Sequence, residues 1–261
     1  MKGVMIPKIL HYCWFGQKEI PPTLQKYICG WKVLCPDWEI KLWNEDNFDI
    51  NSNIFTKSAY DQKKYAYVSD YVRVWALYNF GGVYLDTDVE LKLPLDNLLK
   101  HQAFSCFERS GICFTSAVWG SIKEHSLNKV LLSYYENRIY HNSEPPNTIN
   151  INNILTHVFN INCDDDKDQV GNDGVNTIHI FASHYFCLDL PINYATHHFY
   201  GSWLDERNEK KYKDYVHQNY YLENIKNYSY NRNLTKYVAR TIKSKELVRL
   251  IYLYIKYKLL G

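Results

Sequence analysis

Two carboxylates one residue apart, Asp86 and Asp88, close an apolar run that reads Phe80-Gly81-Gly82-Val83-Tyr84-Leu85-Asp86-Thr87-Asp88-Val89-Glu90. Alternate side chains of a β-strand share a face, so this spacing puts both carboxylates on one side, where they can hold one divalent cation between them. A hard cation such as Mg²⁺ or Mn²⁺ takes oxygen ligands, keeps open coordination positions and neutralises a phosphate leaving group. The chemistry suggested is that of a metal-bound diphosphate. Asp-x-Asp after a hydrophobic run also occurs in solvated turns and in phosphatases, so the pair alone leaves those readings open.

The elements that must position the pair lie upstream. Residues 66–78 carry Val68, Val72, Trp75 and Leu77 at roughly helical spacing, which predicts a helix ahead of the Gly81-Gly82 turn. Asp70 and Arg73 are three residues apart and therefore neighbours on that helix. As an exposed ion pair they would contribute only about 0.3–0.5 kcal/mol. Residues 8–15 read as a first buried strand that stops at Gly16, Pro21-Pro22 opens a helix running towards Leu34, and residues 39–43 form a second strand. This order predicts a parallel, Rossmann-like sheet with its ligand site at the carboxyl ends of the strands, where Trp14 and Phe15 fall. General burial tendencies favour a core role for Trp14. Downstream, a helical pattern over residues 131–140 is broken by Ser143-Glu144-Pro145-Pro146-Asn147, resumes near residues 150–159, and is followed by a strand at residues 177–181. The acidic cluster Asp164-Asp165-Asp166 with Asp168 lacks EF-hand spacing and reads as a solvated loop.

Three separate blocks carry a resemblance: Ile6-Pro7-Lys8-Ile9-Leu10-His11-Tyr12-Cys13-Trp14-Phe15-Gly16, then Ser69-Asp70 with Arg73 and Gly81 to Asp88, then His197-His198-Phe199-Tyr200-Gly201-Ser202-Trp203. In this order the sequence resembles the DXD-containing sugar transferases of glycosyltransferase family 32 and, more distantly, the glucosylating domains of large clostridial toxins. The resemblance implies an α/β fold of the GT-A type, a Rossmann-like mixed sheet flanked by helices, with a C-terminal helical tail. A catalytic domain is expected over residues 1–205, and the change of character after Trp203, charged, Tyr-rich and then basic, reads as a helical extension over residues 206–261. The implied reaction is metal-dependent, retaining transfer of a hexose or hexosamine from a nucleotide sugar, expected to be UDP-linked. The implied acceptor is a hydroxyl of a glycan or lipid-linked glycan in surface (capsular) polysaccharide synthesis.

Residue roles follow from the same resemblance. Trp14, with Phe15 beside it, meets the nucleotide base; Asp70 and Arg73 contact donor-sugar hydroxyls; Asp86 contacts ribose or sugar and joins Asp88, the principal metal ligand. Asp86, Asp88 and Arg73 are the implied catalytic residues. Tyr84, on the same strand face as Asp86, touches the donor. His197 or His198 and Ser202 are candidates to complete the metal shell and grip the diphosphate, and Trp203 caps the β-phosphate. Imidazole suits Mn²⁺ better than Mg²⁺, which makes Mn²⁺ the expected ion. Neighbours on an extended segment point opposite ways, so the sequence leaves open which histidine faces the metal. No residue announces itself as a covalent nucleophile, and Glu90 reads equally as structural.

Composition narrows the class further. A chain of 261 residues can bury a sizeable core, and a net charge of +2 argues against a nucleic-acid binder. Seven scattered cysteines without a CxxC pair read as reduced thiols in a cytosolic protein. Residues 1–8 lack a signal-peptide run and no segment has the apolar length of a membrane span, so a cytoplasmic location, peripheral on the inner face of the plasma membrane, is expected. Near the end, Val248, Ile251, Tyr252, Ile255 and Leu259 recur at three- and four-residue steps beside a basic face. Such a helix lies either on an anionic membrane or against the catalytic domain or another subunit. Two rivals remain at this stage: a haloacid-dehalogenase-like phosphatase, which would carry its Asp-x-Asp strand near the N-terminus, and a non-catalytic sugar- or partner-binding scaffold.

Overall fold

The computed structural model describes residues 4–141, 147–190 and 193–201, and beyond them residues 212, 215–216, 219–220, 239–240 and 242–259. Strand β1 (Ile9–Cys13) leads through helix α1 (Pro22–Leu34) to strand β2 (Glu39–Trp43). Pro22 sits in the first turn of α1, where its fixed φ suits the helix and its missing N–H costs nothing. Leu24, Ile28 and Trp31 form the buried stripe of α1, and the Trp31 indole donates to the Val89 carbonyl at 2.9 Å. That bond ties α1 to the strand that follows the Asp-Thr-Asp motif.

Helix α2 (Ile54–Asp61) starts at Asn53, whose side chain accepts from the Phe55 N–H, and helix α3 (Tyr65–Phe80) buries Val68, Val72, Ala76 and Leu77. Helix α3 ends at Gly81, and Gly82 follows with φ +110°, where a Cβ would come within 2.5 Å of the Ile9 carbonyl oxygen. Glycine is therefore required for the next strand to lie against β1. That strand, β3 (Gly82–Leu85), is buried throughout, and burying Val83 and Leu85 contributes about 1.5–3 kcal/mol each. Strands β4 (Val89–Leu91), β5 (Ala103–Cys106) and β6 (Val118–Ser121) come next, then α4 (Ser126–Tyr134), α5 (Asn147–His157), β7 (Gln169–Asn172), β8 (Thr177–Phe181) and β9 (Ala195–His197).

The main sheet runs β2-β1-β3-β6-β5-β8-β7, and β4 and β9 form a separate two-stranded sheet. The β2-β1-β3 half is parallel, β6 is antiparallel to both β3 and β5, and β5 pairs in parallel with β8. Two antiparallel steps restore direction, so the carboxyl ends of β1, β3 and β5 open on one edge. The α/β class and the mixed, helix-flanked, Rossmann-like sheet expected from the sequence are what the fold shows.

Several local expectations need correction. The helix expected at residues 131–140 is α4, displaced toward the N-terminus because the His125 imidazole caps it by accepting from the Leu127 N–H. Cys113 and Cys163 are disulfide-bonded across a separation of 50 residues, so these two thiols are not reduced. The Gly111 N–H donates to the Cys163 carbonyl at 2.7 Å and the Ser110 hydroxyl to the Asp164 carbonyl at 2.9 Å. Tertiary pairing of these segments, invisible in the spacing, brings the sulfurs together. The acidic cluster is also not wholly solvated: Asp166 accepts from both the N–H and the hydroxyl of Ser183, and Asp168 accepts from the Ala182 N–H.

Helix α6 (Ser244–Tyr254) packs Leu253 into the core, with Leu250 partly buried beside it. No helix among the described residues is long and apolar enough to cross a membrane.

Candidate metal and donor site

The motif lies in a turn, where a strand was expected. Asp86 follows the last residue of β3, and the Val89 N–H donates to the Asp86 carbonyl at 3.0 Å, closing the four-residue turn 86–89. The carboxylates still converge, because positions one and three of so tight a turn can face the same side. Strand β9 then supplies the third group. It pairs antiparallel with β4 with His197 opposite Val89, and the His198 N–H donates to the Asp88 carbonyl at 3.0 Å. One ligand atom each from Asp86, Asp88 and His197 lies within 4.8 Å of the other two.

His197 Nε2 is 3.4 Å from Asp88 Oδ1, and the Tyr200 N–H donates to Asp88 Oδ2 at 2.9 Å. Burial pushes the Asp88 carboxyl up, but the His197 charge and hydrogen bond and the Tyr200 N–H outweigh it and hold the carboxyl below its ordinary value. Burial likewise pushes the His197 imidazole down, and the Asp88 and Asp86 charges overcome this and raise it to about 9. The site thus draws positive charge. His197 Nδ1 is buried with no hydrogen-bond partner among the described residues. Two hard oxygen donors and one imidazole, whose Nδ1 has no other partner among the described residues, fit a divalent cation of the Mn²⁺ or Mg²⁺ type.

Arg73 forms the wall beside Asp86. Its Nη2 lies 2.8 Å from Asp70 Oδ1 and 3.6 Å from Asp86 Oδ1, and its Nη1 donates to the Ser116 carbonyl at 2.9 Å. With side-chain exposure of 6% for Arg73 and 17% for Asp70, this is a buried pair, and the small energy of a surface pair does not apply. Burial raises the Asp70 carboxyl to about 6, against the opposing pull of Arg73.

The Tyr84 ring lies under the Arg73 guanidinium, 4.8 Å from ring centroid to Cζ, and its hydroxyl donates to Asp86 Oδ1 at 2.8 Å. At 1% exposure Tyr84 is closed to a donor. The donor contact expected for it is replaced by a positioning role, because the β3 strand is covered on both faces. Tyr84→Phe is expected to weaken cation affinity roughly 10-fold while leaving thermal stability nearly unchanged, since only one hydrogen bond to a ligating carboxylate is lost. Unaltered Mn²⁺ affinity in a titration would remove Tyr84 from the site.

Trp14 and Phe15 part company. Phe15 is buried and meets Phe48 edge-on at 6.3 Å, so its ring is used in the core and not by a donor. Trp14 remains partly exposed, with its indole N–H donating to the Lys18 carbonyl at 2.5 Å. Extended backbone explains the split, because Cys13 and Phe15 turn inward and Trp14 outward. The same alternation separates the two histidines. His198 Nε2 is 3.0 Å from Glu90 Oε2, and its ring stacks on Tyr27 at 4.6 Å and 6°, away from the cluster that His197 joins. The His198 hydrogen bond, against burial and with help from Lys92, lowers Glu90 to about 2. Ser202 and Trp203 lie outside the described residues.

Sequence reasoning missed two side chains here. Tyr27, on α1, carried no signal beyond its helix. Glu108 stands two residues past β5 and accepts from the Tyr220 hydroxyl at 3.0 Å; burial pushes its carboxyl up and the His197 charge acts against this. A carboxylate just beyond a buried strand was the available sign.

Residues 21–105 match the family described as the glycosyltransferase sugar-binding region containing DXD motif. Over this third of the chain the sequence is similar to the sugar-binding region of the DXD-containing glycosyltransferases. The matched stretch runs from α1 to β5 and includes Asp70, Arg73, Asp86 and Asp88. Over 110 residues the chain is 36% identical to inositol phosphoceramide mannosyltransferase 3 of Schizosaccharomyces pombe, covering 40% of this chain and 30% of that protein. Inositol phosphoceramide mannosyltransferase 1 of the same yeast is 28% identical over 110 residues, 38% of this chain and 33% of its own length. The chain therefore spans about a third of these two relatives. An uncharacterized glycosyltransferase of Acanthamoeba polyphaga mimivirus is 26% identical over 219 residues, 76% of this chain and 84% of that protein. Among solved structures, the PaToxG glycosyltransferase aligns with a TM-score of 0.42 and 15% identity, over 49% of this chain and 60% of that one.

Proposed function

We propose that the protein transfers a hexose or hexosamine from a nucleoside-diphosphate sugar to a hydroxyl of a glycan or lipid-linked glycan, with retention of anomeric configuration. The observation that carries this reading is the convergence of Asp86, Asp88 and His197 beside the buried Arg73–Asp70 pair. A divalent cation held by Asp86, Asp88 and His197, Mn²⁺ before Mg²⁺, would neutralise the diphosphate as the sugar C1–O bond breaks. The protein's own part is positional. Tyr84 and Arg73 hold Asp86 in place from two sides, the Tyr200 N–H fixes Asp88, and Asp70 is held where it can accept from a sugar hydroxyl. The exposed part of Trp14 offers a stacking surface for the base. Attack from the face of the departing diphosphate needs no covalent nucleophile.

The donor expected from the sequence is UDP-linked. The names of the yeast relatives favour a mannose donor as a second reading. Synthesis of a surface polysaccharide is the proposed setting, with residues 1–205 as the catalytic domain and residues 206–261 as an extension. On α6, Val248, Ile251 and Tyr252 are exposed opposite the docked Leu253 and lie near Lys245 and Lys256, which suits peripheral contact with an anionic membrane. Salt-insensitive failure to sediment with phosphatidylglycerol vesicles would remove that contact.

Calorimetric titration of UDP, GDP and their hexose conjugates, with and without Mn²⁺, tests the main reading. Metal-dependent binding of one nucleotide followed by sugar transfer supports it and names the base. Metal-dependent binding without turnover would point to a non-catalytic scaffold, and phosphate release from a simple phosphate ester to a phosphatase.

A further inference from the structure

Two more cysteines meet beneath the site. Cys106, the last residue of β5, and Cys187 are both fully buried, with their sulfurs 3.5 Å apart across 81 residues of sequence. The Cys187 thiol also donates to the Phe107 carbonyl at 3.3 Å, and the Cys187 carbonyl accepts from the His197 N–H at 3.2 Å. Cys187 therefore sits directly behind the strand that delivers His197. On the other side, Cys106 begins an excursion of the chain that closes where the Thr115 N–H donates to the Cys106 carbonyl at 2.8 Å. Glu108 and Arg109, both bonded to the Tyr220 hydroxyl, lie on this excursion, as does Cys113, already bonded to Cys163.

We propose that Cys106 and Cys187 form a second disulfide, which fixes the Glu108-bearing excursion and the His197-bearing segment to one another. The sulfurs have only to close from 3.5 Å to the roughly 2.05 Å of a disulfide. The chemistry balances by thiol–disulfide exchange with a disulfide oxidant such as oxidised glutathione. One thiolate attacks the oxidant to give a mixed disulfide and release one glutathione thiol. The second thiolate displaces the other glutathione, so the protein loses two protons and two electrons and the oxidant becomes two thiols. Burial raises the Cys106 thiol well above its ordinary value, so exchange belongs to folding, before the core closes. The existing Cys113–Cys163 bond shows that the fold accommodates an oxidised pair on the same excursion, and disulfides persist in oxidising compartments. The inference is independent of which sugar or acceptor the site takes.

The test refolds the reduced full chain from denaturant in a glutathione redox buffer, blocks free thiols with iodoacetamide, and maps peptides without reduction. The expected result is one cross-link joining Cys106 to Cys187 beside the one joining Cys113 to Cys163. Recovery of Cys106 and Cys187 both alkylated from chains whose Cys113–Cys163 bond is intact would overturn the proposal, as would a cross-link from either to another cysteine. Cys187→Ser supplies a second readout. Its unfolding midpoint is expected to fall below that of the wild type by about 5–10 °C under oxidising conditions, and the gap to narrow sharply in dithiothreitol. An equal gap in both conditions would mean that the thiols are only packed together.

Discussion

Asp88→Asn is expected to lose metal-dependent donor binding, by at least about 100-fold, while folding normally. The substitution keeps a side-chain oxygen for the Tyr200 N–H, so the turn and the β4–β9 pairing retain their bonds. It removes the charge that a cation would share with Asp86 and that holds the proton on His197. No core volume changes, because the residue lies in a turn past the strand end. Calorimetry with Mn²⁺ and nucleotide reads the loss, and a thermal melt within a few degrees of the wild type separates it from misfolding. Full metal-dependent binding in the variant would end the metal assignment.

Arg73→Ala should damage the protein in a different way, with a stability loss of about 3–5 kcal/mol. The guanidinium is nearly inaccessible, and without it Asp70 and Asp86 would face each other with no cation between them. The Ser116 carbonyl and the face of Tyr84 would lose their partner as well. Denaturant unfolding measures the loss, and adding Asp70→Asn should recover part of it, since one of the stranded charges is then gone. Arg73→Lys is not expected to substitute, because an ammonium cannot span Asp70, Asp86 and the Ser116 carbonyl as the planar fork does. A loss below about 1 kcal/mol for Arg73→Ala would show a solvated pair of the surface kind.

These two outcomes separate the parts of the site by their legibility. The Asp86–Asp88 pair is visible in the chain because its spacing brings two carboxylates to one side on a strand and in the tight turn alike. Their setting is less visible. The sequence suggests a strand through Asp88, whereas the hydrogen bond from Val89 to Asp86 turns the chain first. Asp70 and Arg73 look like a surface ion pair because helical spacing says nothing about which face is buried. Tyr84 and Phe15 look available to a ligand for a related reason: period-two alternation marks two faces but not whether both are covered.

By itself, the sequence determined β1, α1, β2, α3 and β3 in their order, though not α2, together with the glycine turn, the carboxylate pair and the α/β class. Those depend on local geometry: helical and strand periods, the φ freedom of glycine, and the fixed φ of Pro22. Tertiary structure alone decided that His197 and not His198 joins the carboxylates, that Glu108 stands where the His197 charge acts on it, and that Cys113 meets Cys163. Each of these is set by pairing between segments distant in the chain, β4 with β9, β5 with β8, and residues 109–113 with 163–164. Local propensity does not encode such pairings, because they are selected by the burial and backbone hydrogen bonding of the whole sheet.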